Sequence, residues 1–162
     1  MISAVIEKMI EFYHGNYHDI SHSLNVWALA KAIGEQEKLN AKEQELLELE
    51  ALSHDLACPL CRKKYGNTNG KKQELESPPI LREFFDEFGL SEENLERIIR
   101  VVSVHHTYDP VIGIDHQILL EADYLVNSAE GEKSASAIIS TGEKIIQTAA
   151  GKRFLYAMFP TA

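Results

Sequence analysis

Apolar residues recur at intervals of three and four along almost the whole chain, a periodicity that leaves room for little besides helices. Ile2, Val5, Ile6, Met9, Ile10 and Tyr13 form one stripe that ends near Gly15. A second runs from about His18 to Glu37 through His22, Val26, Leu29, Ala30 and Ile33, with Asp19 or Ser21 near its start as a cap. A third, from about Ala41 to His54, sets Leu47, Ala51 and His54 on one side and Glu43, Glu45 and Glu48 on an acidic exterior, and Pro59 stops it. Residues 58–77 read as one long loop, because Tyr65-Gly66-Asn67-Thr68-Asn69-Gly70 favours turns and lies between basic pairs. Pro78 and Pro79 suit the first turn of a fourth helix, closed by Gly89, and Ser91 with Asn94 opens a fifth that carries Leu95, Ile98, Val101, Val102 and His105. A sixth spans about Asp115 to Ala129, a seventh about Ser134 to Thr148, and an apolar tail runs from Arg153 to Phe159. No alternating run of β-branched residues competes with this pattern. The expectation is an all-α bundle of about seven helices. A length of 162 residues, 44% of them hydrophobic, suits a single domain over 1–162.

Charge narrows the partners. Sixteen Lys and Arg against 25 Asp and Glu leave a net charge of −9, which repels polyanions, so general nucleic-acid binding is not expected. Acidic and basic residues interrupt every long apolar stretch, so no membrane helix is expected; the N-terminus also lacks the basic start and apolar run of a secretion signal, and the expected location is cytoplasmic. One segment runs against the acidic balance: Arg62, Lys63, Lys64, Lys71 and Lys72 sit within 62–72 with no acid among them. Such a block is either a solvated face or a site for a small anion. Cys58 and Cys61 form a CxxC without the second pair of a zinc ribbon or the βαβ setting of a redox motif, so two reduced thiols are expected.

Four of the helical stripes end in, or are interrupted by, a side chain able to bind metal: His22, His54 beside Asp55, His105, and Asp123. A lone histidine on an apolar face is usually a hydrogen-bonded core residue, but a charged Asp on such a face loses hydration unless it is paired or coordinates a cation. Nitrogen and oxygen donors together suit a divalent transition metal such as Fe, Mn, Co, Ni or Zn, and suit Mg less naturally.

Taken in order, Asp19-x-x-His22 followed by Val26 and Ala30, then Leu52-Ser53-His54-Asp55-Leu56-Ala57, then Glu121-Ala122-Asp123, the chain resembles the HD-domain metal phosphohydrolase superfamily. Lys64-Tyr65-Gly66, Glu76-Ser77-Pro78-Pro79 and His105-His106-Thr107-Tyr108 resemble an uncharacterised branch of it. The resemblance implies an HD-type helical bundle in which His22, His54, Asp55 and Asp123 hold one metal, with Asp19 orienting His22. Where dinuclear relatives place two further histidines, this chain has Glu76 and then His105 or His106, so a second metal stays open. Two positions depart from the family: Asn25 stands where Arg is frequent, and Cys58 stands where the cyclic-dinucleotide phosphodiesterases carry Lys. The Gly-Tyr-Pro element of that branch is absent as well.

A metal held by two His and two Asp leaves room for a water, whose pKa it lowers toward neutral. Attack on phosphorus then needs cations around the phosphate oxygens. Lys64 and Lys72 are the expected pair for catalysis and phosphate binding, with Tyr65 or Tyr108 as a ring for a base. The expected activity is hydrolysis of a nucleotide or other small phosphate ester. A nucleotide-sensing module without turnover and a di-iron oxygenase are the alternatives, and a homodimer stays open.

Overall fold

The computed structural model describes residues 1–161, and among them the only regular elements are helices. They are α1 (Ile2–Tyr13), α2 (Tyr17–Gln36), α3 (Ala41–Ser53), α4 (Cys58–Tyr65), α5 (Gly70–Phe85), α6 (Glu92–Val102), α7 (Ile114–Glu130), α8 (Ala135–Ile145) and α9 (Ala149–Met158), with one 3-10 turn at Asp86–Phe88 after α5. The all-α expectation holds, with nine α-helices in place of about seven. None of them is long and apolar enough to cross a membrane.

Local chemistry explains most boundaries. The α1 helix stops where His14 and Gly15 adopt positive φ, and α2 starts because the Asn16 side chain accepts from the Asp19 amide. The cap is thus Asn16, ahead of the expected Asp19 or Ser21. Asn40 and Glu43 close a capping box on α3, while Ser91, Ser134 and Thr148 cap α6, α8 and α9.

The segment read as a long loop is the main correction. Pro59 ends nothing; it sits in the first turn of α4, where its missing N–H costs no helical bond. Gly66, with φ of 69°, terminates α4, and Asn69 caps α5 only four residues later. Pro78 and Pro79 therefore lie inside α5 instead of opening it. The carbonyls that lose donors belong to Glu74 and Leu75, and Leu75 is exposed, so water can replace one of the missing N–H groups.

The core forms two apolar clusters. One joins Val26, Ala30 and Ile33 of α2 to Leu119, Ala122 and Val126 of α7, to Ile138 of α8 and to Leu155 of α9. The other joins Val5 and Met9 of α1 to Leu49 and Leu52 of α3, Leu81 and Phe85 of α5, and Ile98 of α6. Trp27 packs against both. Its indole N–H donates to Glu48 at 2.9 Å, and Lys31 and Gln44 donate to the same carboxylate at 3.1 and 3.0 Å. Glu48 is therefore a buried joint between α2 and α3, not part of an acidic exterior.

Glu121 joins α7 to the C-terminal helices in a similar way. Fully buried, it accepts from the backbone N–H groups of Gln147 and Thr148 at 2.8 and 2.9 Å, from the Thr148 hydroxyl and from Gln117. Glu121→Ala leaves those donors buried without an acceptor, and hydrogen bonds to a charged group contribute ~1.5–3 kcal/mol each. Destabilisation of about 3 kcal/mol in urea unfolding is the expected outcome, with helix content retained in the absence of denaturant.

Candidate metal centre

Two helix ends meet the N-terminal part of α2 and the C-terminal half of α7 beside one small cavity. His22 comes from α2, His54 and Asp55 follow the end of α3, His105 and His106 follow the end of α6, and Asp123 projects from α7. His54 is fully buried, His105 nearly so, and His22 and Asp123 are less than a tenth exposed. Their donor atoms form two groups able to hold a cation, His22 with His54 and Asp123, and Asp55 with His105 and His106. Asp55 faces both: one carboxylate oxygen lies 3.5 and 3.6 Å from Nε2 of His22 and His54, and the other lies 3.5 Å from Nε2 of His105. Asp123 Oδ1 lies 3.2 Å from His22 Nε2 and 3.5 Å from His54 Nε2.

The tautomers follow from what the outer nitrogens meet. His54 Nδ1 lies 2.8 Å from the Ala51 carbonyl and His105 Nδ1 lies 2.6 Å from that of Val102, each three residues earlier. Both carbonyls belong to the last turn of a helix, where backbone oxygens lack intrahelical donors. Each imidazole therefore donates its Nδ1 proton outward and turns its Nε2 inward, where that atom is bare whenever the ring is neutral. His22 reaches the same state through Glu130, whose carboxylate accepts from its Nδ1 at 2.9 Å. Nε2 of His105 and of His106 are buried without a hydrogen-bond partner. Such orphaned acceptors cost stability unless something binds them, and borderline cations favour imidazole with carboxylate. The residues fit a divalent metal.

Electrostatics support the same assignment. Burial opposes charge on His22, yet its hydrogen bond to Asp123 and the Asp55, Asp123 and Glu130 carboxylates push its pKa up to about 9. Burial also works against the Asp123 carboxylate, but hydrogen bonds from His22 and His54 and the charge of the neighbouring imidazoles hold it well below the usual range. Asp55 is lowered too, its burial outweighed by His54 and His105. Burial and then the positive His105 ring push His106 down to about 4.

The chain matches the HD domain family over residues 19–128. It belongs to that family. No curated protein and no solved structure matches it. The HD match runs from Asp19 to Ser128, so it takes in α2–α7 almost entire and leaves α1, α8 and α9 outside. It spans all six of the converging donors. HD domains are of the metal-dependent phosphohydrolase type, and the donor groups suit the divalent metals that such domains bind.

Several expectations for individual residues change. Asp19 does not orient His22: its carboxylate pairs with the Arg62 guanidinium and accepts from Asn16 at 2.9 Å. Side chains on a helix tilt toward its N-terminus, so Asp19 leans back to the start of α2, away from His22 one turn ahead. Glu130 has that place instead. Glu76 is absent from both donor groups; because α5 begins at Gly70, it faces α4 and accepts from Lys64 at 2.6 Å and from the Tyr65 hydroxyl at 2.5 Å. Lys64, Lys72 and Tyr108 lie outside the cavity wall. The Lys72 ammonium sits 4.7 Å from the Tyr65 ring centre, in a shallow depression beside Asn67 and Thr68. The cation that lines the cavity, a space of about 230 Å³, is Arg62, with Thr68, Gln73, His18 and Asn127 also on the wall. Cys58 completes that wall as a free thiol, pushed up by burial and by Asp55, and Cys61 is free and buried behind it.

Asn127 and Glu130 carried a readable signal. They follow Asp123 by four and seven residues and so share its helical face, and Asn127 donates to Asp123 Oδ1 at 2.7 Å. Arg62 had none, since its approach depends on how α4 packs.

A metal accepts only neutral imidazole, whereas His22 with a pKa near 9 carries a proton at pH 7 in the metal-free protein. Metal binding at pH 7 should therefore release protons, and affinity should rise as pH goes from 6 to 9. Calorimetry in buffers of different ionisation enthalpy measures the release. Glu130→Ala should weaken metal binding by roughly 10–100-fold, the usual effect of removing an outer partner of a ligating histidine.

Proposed function

We propose that this HD domain hydrolyses a small phosphate ester or phosphorylated nucleotide at a dinuclear metal centre. Asp55 carries the reading, because one carboxylate faces His22 and His54 with one oxygen and His105 with the other. His22, His54 and Asp123 would hold one cation and His105 and His106 the other, with Asp55 between them. Fe, Mn, Co, Ni or Zn suits these donors better than Mg. A bound cation of this kind supplies a hydroxide near neutral pH and polarises a phosphoryl oxygen.

The protein's own groups do the rest. Arg62 binds the non-bridging phosphate oxygens through its planar guanidinium, exchanging part of its contact with Asp19 for the substrate. Asp19 keeps that guanidinium aimed into the cavity while the site is empty of substrate. Asn127 holds Asp123 in place by donating to its Oδ1. Gln73, whose Nε2 donates to the Thr68 carbonyl at 2.8 Å, fixes the α4–α5 turn as the opposite wall. The bond from phosphorus to the organic oxygen breaks, the oxygen of water joins phosphorus, and a proton ends on the departing alcohol. Lys72, beyond Thr68, serves at most a part of the substrate that leaves the cavity on that side.

Elemental analysis of protein saturated with Mn, Fe or Co should approach two metals per chain, fall to about one in His106→Ala and stay at two in Glu76→Ala. One metal per chain in the parent overturns the dinuclear reading. In a phosphate-ester screen Arg62→Ala should lower kcat/KM by at least about tenfold with metal content unchanged, as loss of a charge-assisted contact of ~1.5–3 kcal/mol requires. Full metal loading with no turnover of any ester would favour a sensing module, and oxygen consumption by the iron form would favour an oxygenase.

A further inference from the structure

The proposed reaction leaves one proton without a source. When the bond from phosphorus to the organic oxygen breaks, that oxygen needs a proton, and the wall of the metal cavity holds few groups able to give one. His22, His106, Asp55 and Asp123 belong to the two donor groups. Arg62 keeps its proton, Thr68, Gln73 and Asn127 do not ionise near neutral pH, and the Cys58 thiol is pushed up by burial and by Asp55. Asp19, less than a tenth exposed, is an acceptor already shared by Arg62 and Asn16. The wall residue left is His18.

His18 stands one turn before His22 on the same face of α2. The two rings are parallel to within 7°, with centres 6.5 Å apart. His18 Nδ1 lies 3.3 Å from Asp19 Oδ1. A carboxylate only accepts, so Nδ1 is the donor and Nε2 is the nitrogen free to meet a ligand. The same carboxylate pairs with the Arg62 guanidinium. One buried acid thus fixes the phosphate-binding cation and the imidazole relative to each other. The His18 side chain is 76% exposed, so solvent can return a proton to it.

We propose that His18 is the general acid of this reaction and Asp19 its positioning residue. The inference rests on the phosphohydrolase reading and adds the source of the leaving group's proton. As the ester bond breaks, its electron pair stays on the organic oxygen, which takes the Nε2 proton. The ring is left neutral, with Nδ1–H still on Asp19. The proton given up by the attacking water passes to solvent and solvent returns one to Nε2, so the cycle closes. Imidazole suits the task because it exchanges protons near neutral pH.

Aryl phosphates from p-nitrophenyl to phenyl phosphate are the probes, because p-nitrophenolate departs readily without a proton and phenolate does not. His18→Gln keeps a hydrogen-bonding side chain that cannot give up a proton. In metal-loaded protein it should lower kcat for phenyl phosphate by about a hundredfold or more and for p-nitrophenyl phosphate by no more than about threefold, with metal content unchanged. A loss no greater for phenyl than for p-nitrophenyl phosphate, or no loss at all, overturns the general acid and leaves the phosphohydrolase reading standing. If the parent turns over no phosphate ester, that reading fails and takes the inference with it. A second readout needs no turnover: in zinc-loaded protein the NMR signals of the His18 ring should shift when inorganic phosphate is added. Signals that stay in place put the ring out of reach of the phosphate and overturn the assignment.

Discussion

Two helix-terminal carbonyls decide how this protein presents its chemistry. The carbonyls of Ala51 and Val102 lie in the last turns of α3 and α6 and take the Nδ1 protons of His54 and His105. A backbone oxygen beyond the reach of a full helical bond can take a further partner, and an imidazole three residues later supplies one. That exchange fixes the tautomer and the ring plane together, leaving each Nε2 free toward the centre of the bundle. It also explains why these ligands sit just past helix ends, where the chain can turn and the Val102 carbonyl has only a long bond from the His105 N–H, at 3.3 Å, besides the imidazole. His22, in the interior of α2, has no such carbonyl and depends on the Glu130 side chain across the bundle.

The cost of this arrangement falls on the carboxylates. Asp55 and Asp123 share one pocket with four imidazoles, and unpaired carboxylates there would lose several kcal/mol of hydration. In the metal-free protein a protonated His22 offsets part of that loss, and a cation would take the same place with more charge. Proton and metal therefore compete for one set of atoms. Val26, Ala30, Leu119, Ala122 and Val126 pack α2 against α7 next to His22 and Asp123, so the donors stand on a packed core.

Much of the site was legible in the chain. His22, His54, Asp55 and Asp123 were each marked by a polar group that ends or breaks an apolar helical stripe, and the structure brings all four together, with the Nε2 atoms of both histidines 3.2–3.6 Å from a carboxylate oxygen of each aspartate. The errors cluster in 58–77, where turn-forming residues and prolines suggested a loop. There the basic and acidic side chains acquire partners from a pair of packed helices: Glu76 turns to Lys64, and Arg62 in place of Lys64 or Lys72 enters the cavity. Glu48 shows the same limit, since an acidic residue on an apparently polar helix face is buried by Trp27 and Lys31 of the helix beside it.

By itself the sequence determined the helical class, because three- and four-residue apolar spacing has no other compact solution, and it determined which residues are too polar to be buried without purpose. Only the tertiary structure decided their partners. A hydrogen bond such as Glu130 to His22 spans 108 residues of chain, and whether two side chains so far apart meet depends on the packing of α2 against α7, which no local pattern encodes. For the same reason it was packing, not residue type, that chose Arg62 from five neighbouring cations and set Asp55 between two groups of donors.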